Sequence, residues 1–194
     1  IHEPLKRFLI NTTDKFLFQK RYNPTELLKT FTQEILSLLD FNQLLHKTVA
    51  TLTETLKLES CAVLLLNRSE DAYLVQECQG FENRQISLKM GSALVTHLKK
   101  ANDHLAYSED LPADVKSQMN EIKARLLIAL SHQGETIGFL SLGGKKSGED
   151  YSKEDIDILT ALARTEAVAI SNAKFFGDAK QNVKLAAIGA LASG

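Results

Sequence analysis

The 194-residue chain holds 23 basic and 24 acidic residues, for a formal net charge of −1, and is 44% hydrophobic and 24% charged. This balance removes any global attraction to nucleic acid or acidic lipid, and the composition is that of a globular protein long enough to bury a core. No apolar run approaches the roughly 20 residues that span a bilayer, and no stretch reads as a secretory leader.

The opening stretch "EPLKRFLINTTDKFLFQKRY" sets Leu5, Phe8, Leu9, Thr12 and Phe16 at helical spacing, crowded by Lys6, Arg7, Lys15, Lys20 and Arg21. A basic amphipathic segment over residues 1–22 suits either a plain connector or contact with a membrane surface. "NPTE" then starts a helix: Asn23 caps, Pro24 sits where a missing N–H costs nothing, and Glu26 takes the capping-box position. Leu27, Leu28, Phe31, Ile35 and Leu38 follow at steps of three and four. "DFNQ" from Asp40 repeats the capping logic, and the second helix carries Leu45, Val49, Leu52 and Leu56 on one face.

The period then changes. "CAVLLL" (61–66) is a short continuous apolar run, as expected of a strand covered on both faces, and "AYLVQEC" (72–78) follows across the polar "NRSED" turn. "QISL" (85–88) is a weaker third strand, and Gly91-Ser92 introduces a helix through Leu94, Val95 and Leu98. Residues 101–123 read as polar, irregular loop with the short apolar group Leu105, Ala106 and Tyr107 inside it. "RLLIALS" (125–131) and "TIGFLSL" (136–142) are two strong strands joined by "HQGE", where Gly134 supplies the positive φ of a tight hairpin. Ser152 and Asp155 cap a last helix that meets no proline up to the end of the sequence.

In that helix Leu162, Ala169, Phe176, Val183 and Ala190 recur every seven residues, with Thr165, Asn172, Ala179 and Ala186 between them. A seam of small and polar residues suits a parallel dimeric coiled coil of low stability that can shift. The alternative is one helix packed on its own sheet. Packing on the sheet is the expectation for residues 152–170, and the coil beyond Phe175. Strands in a run, with helices before and after, indicate an α+β domain built on an antiparallel sheet, its terminal helices together on one face.

Candidate chemistry is sparse. "GFLSLGGKKS" (138–147) misses phosphate-loop spacing, since Phe139 stands where that motif needs glycine. His97 and His104, with Asp103, Glu109 and Asp110 nearby, lack metal-ligand spacing, so no metal site is expected. Cys61 and Cys78 lie inside strands without CxxC spacing or an evident base, as reduced core thiols of a cytoplasmic protein do. No catalytic residue is identified. A pocket remains: Leu94, Leu98, Tyr107 and Met119 in the segment covering the sheet, with Phe81 at its edge. Apolar walls with few polar groups describe a small-molecule pocket, and equally an ordinary core.

Residues from about Leu39 to Phe176 resemble a GAF domain, on "DFNQLLHKTVATLTETLKLESCAVLLL" and on the ending "GETIGFLSLGGKKSGEDYSKEDIDILTALARTEAVAISNAKFF". The resemblance implies an antiparallel sheet of five or six strands, terminal helices on one face and a ligand cavity on the other. "LAAIGALASG" is similar to the start of the dimerisation and phosphoacceptor helix of sensor histidine kinases, which in that family leads into an Ala-His-Glu motif. The organisation so implied is a juxtamembrane-type linker over 1–22, a sensory domain over 23–175 and a signalling helix over 176–194. The implied setting is a cytoplasmic domain of a kinase anchored in the inner or cell membrane, homodimeric through its terminal helices. A response regulator and ATP would meet parts of the parent beyond this sequence. No bilin or haem signature is present, because neither cysteine matches a chromophore-attachment position. The cyclic-nucleotide motif and the cysteine group of sulfoxide-reducing GAF enzymes are not reproduced either. A ligand-free dimerisation spacer and a small-molecule enzyme on the same fold stand as the alternatives.

Overall fold

The computed structural model describes residues 23–101 and 103–192; the basic stretch 1–22 lies outside the described residues. Helix α1 (Pro24–Leu36) starts where Asn23 Oδ1 accepts the Glu26 amide at 3.2 Å, and α2 (Phe41–Leu56) where Asp40 accepts the Gln43 amide at 2.9 Å. Both caps satisfy amides that the first turn of a helix leaves without partners. Six strands follow: β1 (Cys61–Asn67), β2 (Ala72–Gln79), β3 (Ser87–Lys89), β4 (His104–Ala106), β5 (Leu126–His132) and β6 (Glu135–Leu142). Helices α3 (Ala93–Leu98) and α4 (Ala113–Glu121) interrupt them, and α5 (Lys153–Ala192) closes the chain order.

The strands form one antiparallel sheet in the order β3-β2-β1-β6-β5-β4, with β1 and β6 central. Alternation divides its side chains between two cores. Cys61, Val63 and Leu65 of β1, Ile128 and Leu130 of β5 and Leu140 of β6 lie under α1, α2 and α5. Ala62, Leu64, Leu127, Ala129 and Phe139 face the other way, beneath α3 and α4. This double coverage is why the central strands read as unbroken apolar runs although the sheet is antiparallel. At the β5–β6 turn Gln133 and Gly134 both have positive φ, 52° and 81°, the geometry of a two-residue hairpin.

The segment 101–123 departs from its reading as irregular loop: it holds β4 and α4. Strand β4 is three residues long and pairs only with β5, and α4 buries only Val115 and Met119. Three residues carry no detectable period, and two apolar positions four apart are too few to mark a helix.

Helix α5 is 40 residues long, about 60 Å at 1.5 Å per residue. Its start is the reciprocal capping box read from "YSKED": Asp155 N–H donates to Ser152 Oγ at 3.1 Å and Ser152 N–H to Asp155 Oδ2 at 2.8 Å. The seven-residue series along α5 divides in two. Leu162 and Ala169 are buried in the core beneath the helices, so these two are corrected from seam positions to intramolecular packing positions. Phe176 and Val183 are exposed, and the side chain of Ala190 lies outside the described residues.

Candidate functional site

The hairpin tips at one end of the sheet, with the residues after β3 and α3, enclose a half-open cleft of about 450 Å³ on the α3–α4 face. Its apolar floor is Leu66, Tyr73, Met90, Leu98, Ala129 and Phe139. Strand alternation explains the floor: Tyr73, Ala129 and Phe139 belong to the same core face, and the Tyr73 and Phe139 rings pack 4.4 Å apart between centroids at 59°. Small Ala129, paired beside Phe139 on the neighbouring strand, leaves volume that a larger side chain would fill.

The rim is charged and of mixed sign: Arg68, Lys99, Asp103 and Glu135 all line it. Arg68 Nη2 donates to Glu135 Oε2 at 3.1 Å, tying the β1–β2 tip to the start of β6 across the mouth. Asp103 is held by its backbone, with φ of 69° and a carbonyl that accepts the Ala129 amide at 2.7 Å. Burial pushes the Tyr73 phenol above its ordinary range, and the Arg68 guanidinium opposes that shift in part, so the phenol stays protonated at neutral pH. No cysteine or histidine lines the cleft. The arrangement can hold a small molecule with an apolar body and polar ends.

The sequence-derived pocket is only partly gathered there. Leu98 lines the cleft, whereas Leu94 and Met119 are fully buried within the core of that face. Phe81 and Tyr107 are at the opposite end of the strands. Phe81 follows β2 and carries Lys123 Nζ 5.5 Å from its ring centroid, and Tyr107 carries the Arg125 guanidinium at 4.3 Å. The face was legible from the sequence but its open end was not, because the end depends on strand register. Tyr73, Ala129 and Phe139 lie inside the strands that the sequence predicts, and only the sheet pairing brings them beside Arg68 and Glu135.

The thiols stand apart from the cleft and from each other. Cys61 belongs to the core under the helices and Cys78 to the opposite face. Burial pushes Cys61 up to about 12 and raises Cys78 as well, so neither supplies a thiolate near neutral pH. Among the described residues, no group of three or more His, Cys, Asp or Glu side chains is gathered for a metal.

A six-stranded antiparallel sheet with its terminal helices on one face and an open cleft on the other is the architecture of a GAF domain. The chain belongs to the GAF domain family, whose match spans residues 39–171. The GAF domain of a phosphoenolpyruvate-protein phosphotransferase from Coxiella burnetii is similar at 22% identity and TM-score 0.67, over 80% of this chain and 97% of that one. The GAF domain of an Acinetobacter phosphoenolpyruvate-protein phosphotransferase is similar at 19% identity and TM-score 0.64, over 81% and 99%. A free methionine-R-sulfoxide reductase from Neisseria meningitidis is similar at 16% identity and TM-score 0.65, over 78% and 90%. At these identities the likeness is one of fold. No curated protein matches by sequence.

Proposed function

We propose that this chain is the cytoplasmic sensory and dimerisation module of a membrane-anchored, two-component sensor histidine kinase. The cleft takes a small molecule, and α5 passes the resulting preference to a phosphoacceptor helix serving a response regulator. The observation that carries this reading is α5 itself. Its residues from Leu159 to Ala173 are rooted in the core, and beyond them Phe175, Val183 and Leu185 are 71%, 71% and 59% exposed. A helix that leaves its domain with large apolar side chains uncovered is built to meet a partner. A second copy would cover Phe176 and Val183 at coiled-coil spacing. Ligand in the cleft acts on the far face of the same sheet that carries α5, and it can favour one arrangement only by binding it better than the other.

Two experiments separate the parts of the reading. Analytical ultracentrifugation of Phe176→Asp should show self-association weakened at least tenfold, about 1.4 kcal/mol. An unchanged dimer, or a parent chain that is monomeric, removes the seam. For the kinase assignment, the parent reading frame past Gly194 should encode a His-Glu pair on the same helix, followed by an ATP-binding domain. Any other effector there withdraws the kinase and leaves a GAF regulatory module.

A further inference from the structure

Glu166 is the least expected residue of α5. It is fully buried, on the face of the helix that packs into the core, among Leu162, Ala163, Ala167 and Ile170. Neither carboxyl oxygen has a hydrogen-bond partner. The Thr48 hydroxyl of α2 approaches it but is spent on the Leu44 carbonyl at 3.0 Å. The other buried acid among the described residues is Asp155 on the same helix, which is bound by Lys145 Nζ at 2.6 Å and by the Ser152 amide. One helix thus carries one buried carboxyl fully provided for and one left bare.

We infer that Glu166 is a proton-operated latch: neutral, it lets α5 stay docked on the sheet, and ionised, it drives the docked half of α5 outward to water. The core in which it is buried holds no counter-charge among the described residues. From α1 the buried residues are Leu27, Phe31 and Ile35, from β5 Ile128 and Leu130, and from β6 Leu140. From α2 come Thr48 and Thr53, and from β1 Cys61, a thiol that stays neutral because burial pushes it up to about 12. No lysine, arginine or histidine is among the buried residues described. An unpaired carboxylate in such a core is far costlier than a neutral acid, and burial pushes Glu166 up to about 8, so the proton leaves near physiological pH. Two helical turns further on, past Ala173, α5 is exposed, so a shift of the docked half moves the whole extension. The latch requires no ligand in the cleft and stands apart from the kinase reading.

The test is amide hydrogen exchange of the 194-residue chain at pH 6 and pH 8, corrected for intrinsic rates, on the chain as given and on Glu166→Gln, which cannot ionise. Protection over 159–173 should fall on the order of 50-fold between the two values in the unsubstituted chain and stay level in the variant, and at both values it should lie below that of β1 and β6. A level profile in the unsubstituted chain overturns the latch. So does an equal fall in Glu166→Gln, or protection over 159–173 that equals that of β1 and β6 at both values, which would mean that α5 opens only with global unfolding. Should the variant fail to fold, infrared titration of the unsubstituted chain decides: a buried protonated-carboxyl band at pH 6 that bleaches toward pH 9 is expected, and its absence overturns the proposal.

Discussion

Glu166 and Asp155 share a helix and a chemical type, and their surroundings give them opposite consequences. Burial raises Glu166 from an ordinary value of 4.5 to about 8, so the folded state holds its proton more tightly than the unfolded chain does. The associated stability is complete below about pH 4.5 and is lost as pH rises toward 8. At about 1.4 kcal/mol per tenfold change in proton affinity the loss is on the order of 5 kcal/mol. Urea midpoints should therefore decline across that window, and the decline should vanish in Glu166→Leu. Asp155 closes the capping box and accepts the nearly buried Lys145. Asp155→Asn leaves that ammonium without its counter-charge and should cost about 3 kcal/mol, read as a lower urea midpoint at pH 7.

At the scale of elements, α5 changes role along its length. As far as Ala173 its small residues Ala163, Ala167, Ala169 and Ala173 let α1, α2 and the sheet approach closely. Beyond that point Lys174 Nζ still lies 5.6 Å from the Phe41 ring centroid, and Phe175, Phe176, Val183, Leu185 and Ile188 are exposed. Gly177 lies at the start of this stretch with open space around its Cα. Gly177→Ala should stiffen the extension by about 1 kcal/mol, seen as a gain in helical circular dichroism without a change in the core transition. Helix α4 contributes in the opposite sense, since only two side chains, Val115 and Met119, anchor it in the second core. Met119→Ala should cost between about 2 and 5 kcal/mol and loosen the α3–α4 face before the α5 face.

For the whole molecule, the sheet is the shared wall between a cleft on one face and the docked half of α5 on the other. Central β1 and β6 approach so closely at Gly138 that a Cβ there would collide with the Leu64 carbonyl and the Leu65 side chain. Movement is thus unfavourable at the wall and left to the covering layers. Ala129→Phe would fill the cleft floor beside Phe139 while keeping the strand pairing. Native mass spectrometry should show any retained small molecule lost from that variant with the oligomeric state unchanged. Loss of a small molecule together with a change of oligomeric state would place it outside this cleft.

Capping pairs, hairpin turns and apolar periods act over a few residues, so the sequence alone determined the helix starts at Asn23, Asp40 and Ser152, the central strands and the α+β class. The same locality hid β4 and α4, which are too short to carry a period and exist because β5 and the second core hold them. A seven-residue repeat is the same string whether its partner is the chain's own sheet or another molecule; the sequence favoured the sheet for residues 152–170, and the tertiary structure shows Leu162 and Ala169 buried and Phe176 and Val183 exposed. Strand register likewise decided the site. It put the cleft at the Arg68–Glu135 end rather than beside Phe81 and Tyr107, and it left Glu166 facing a core without a cation.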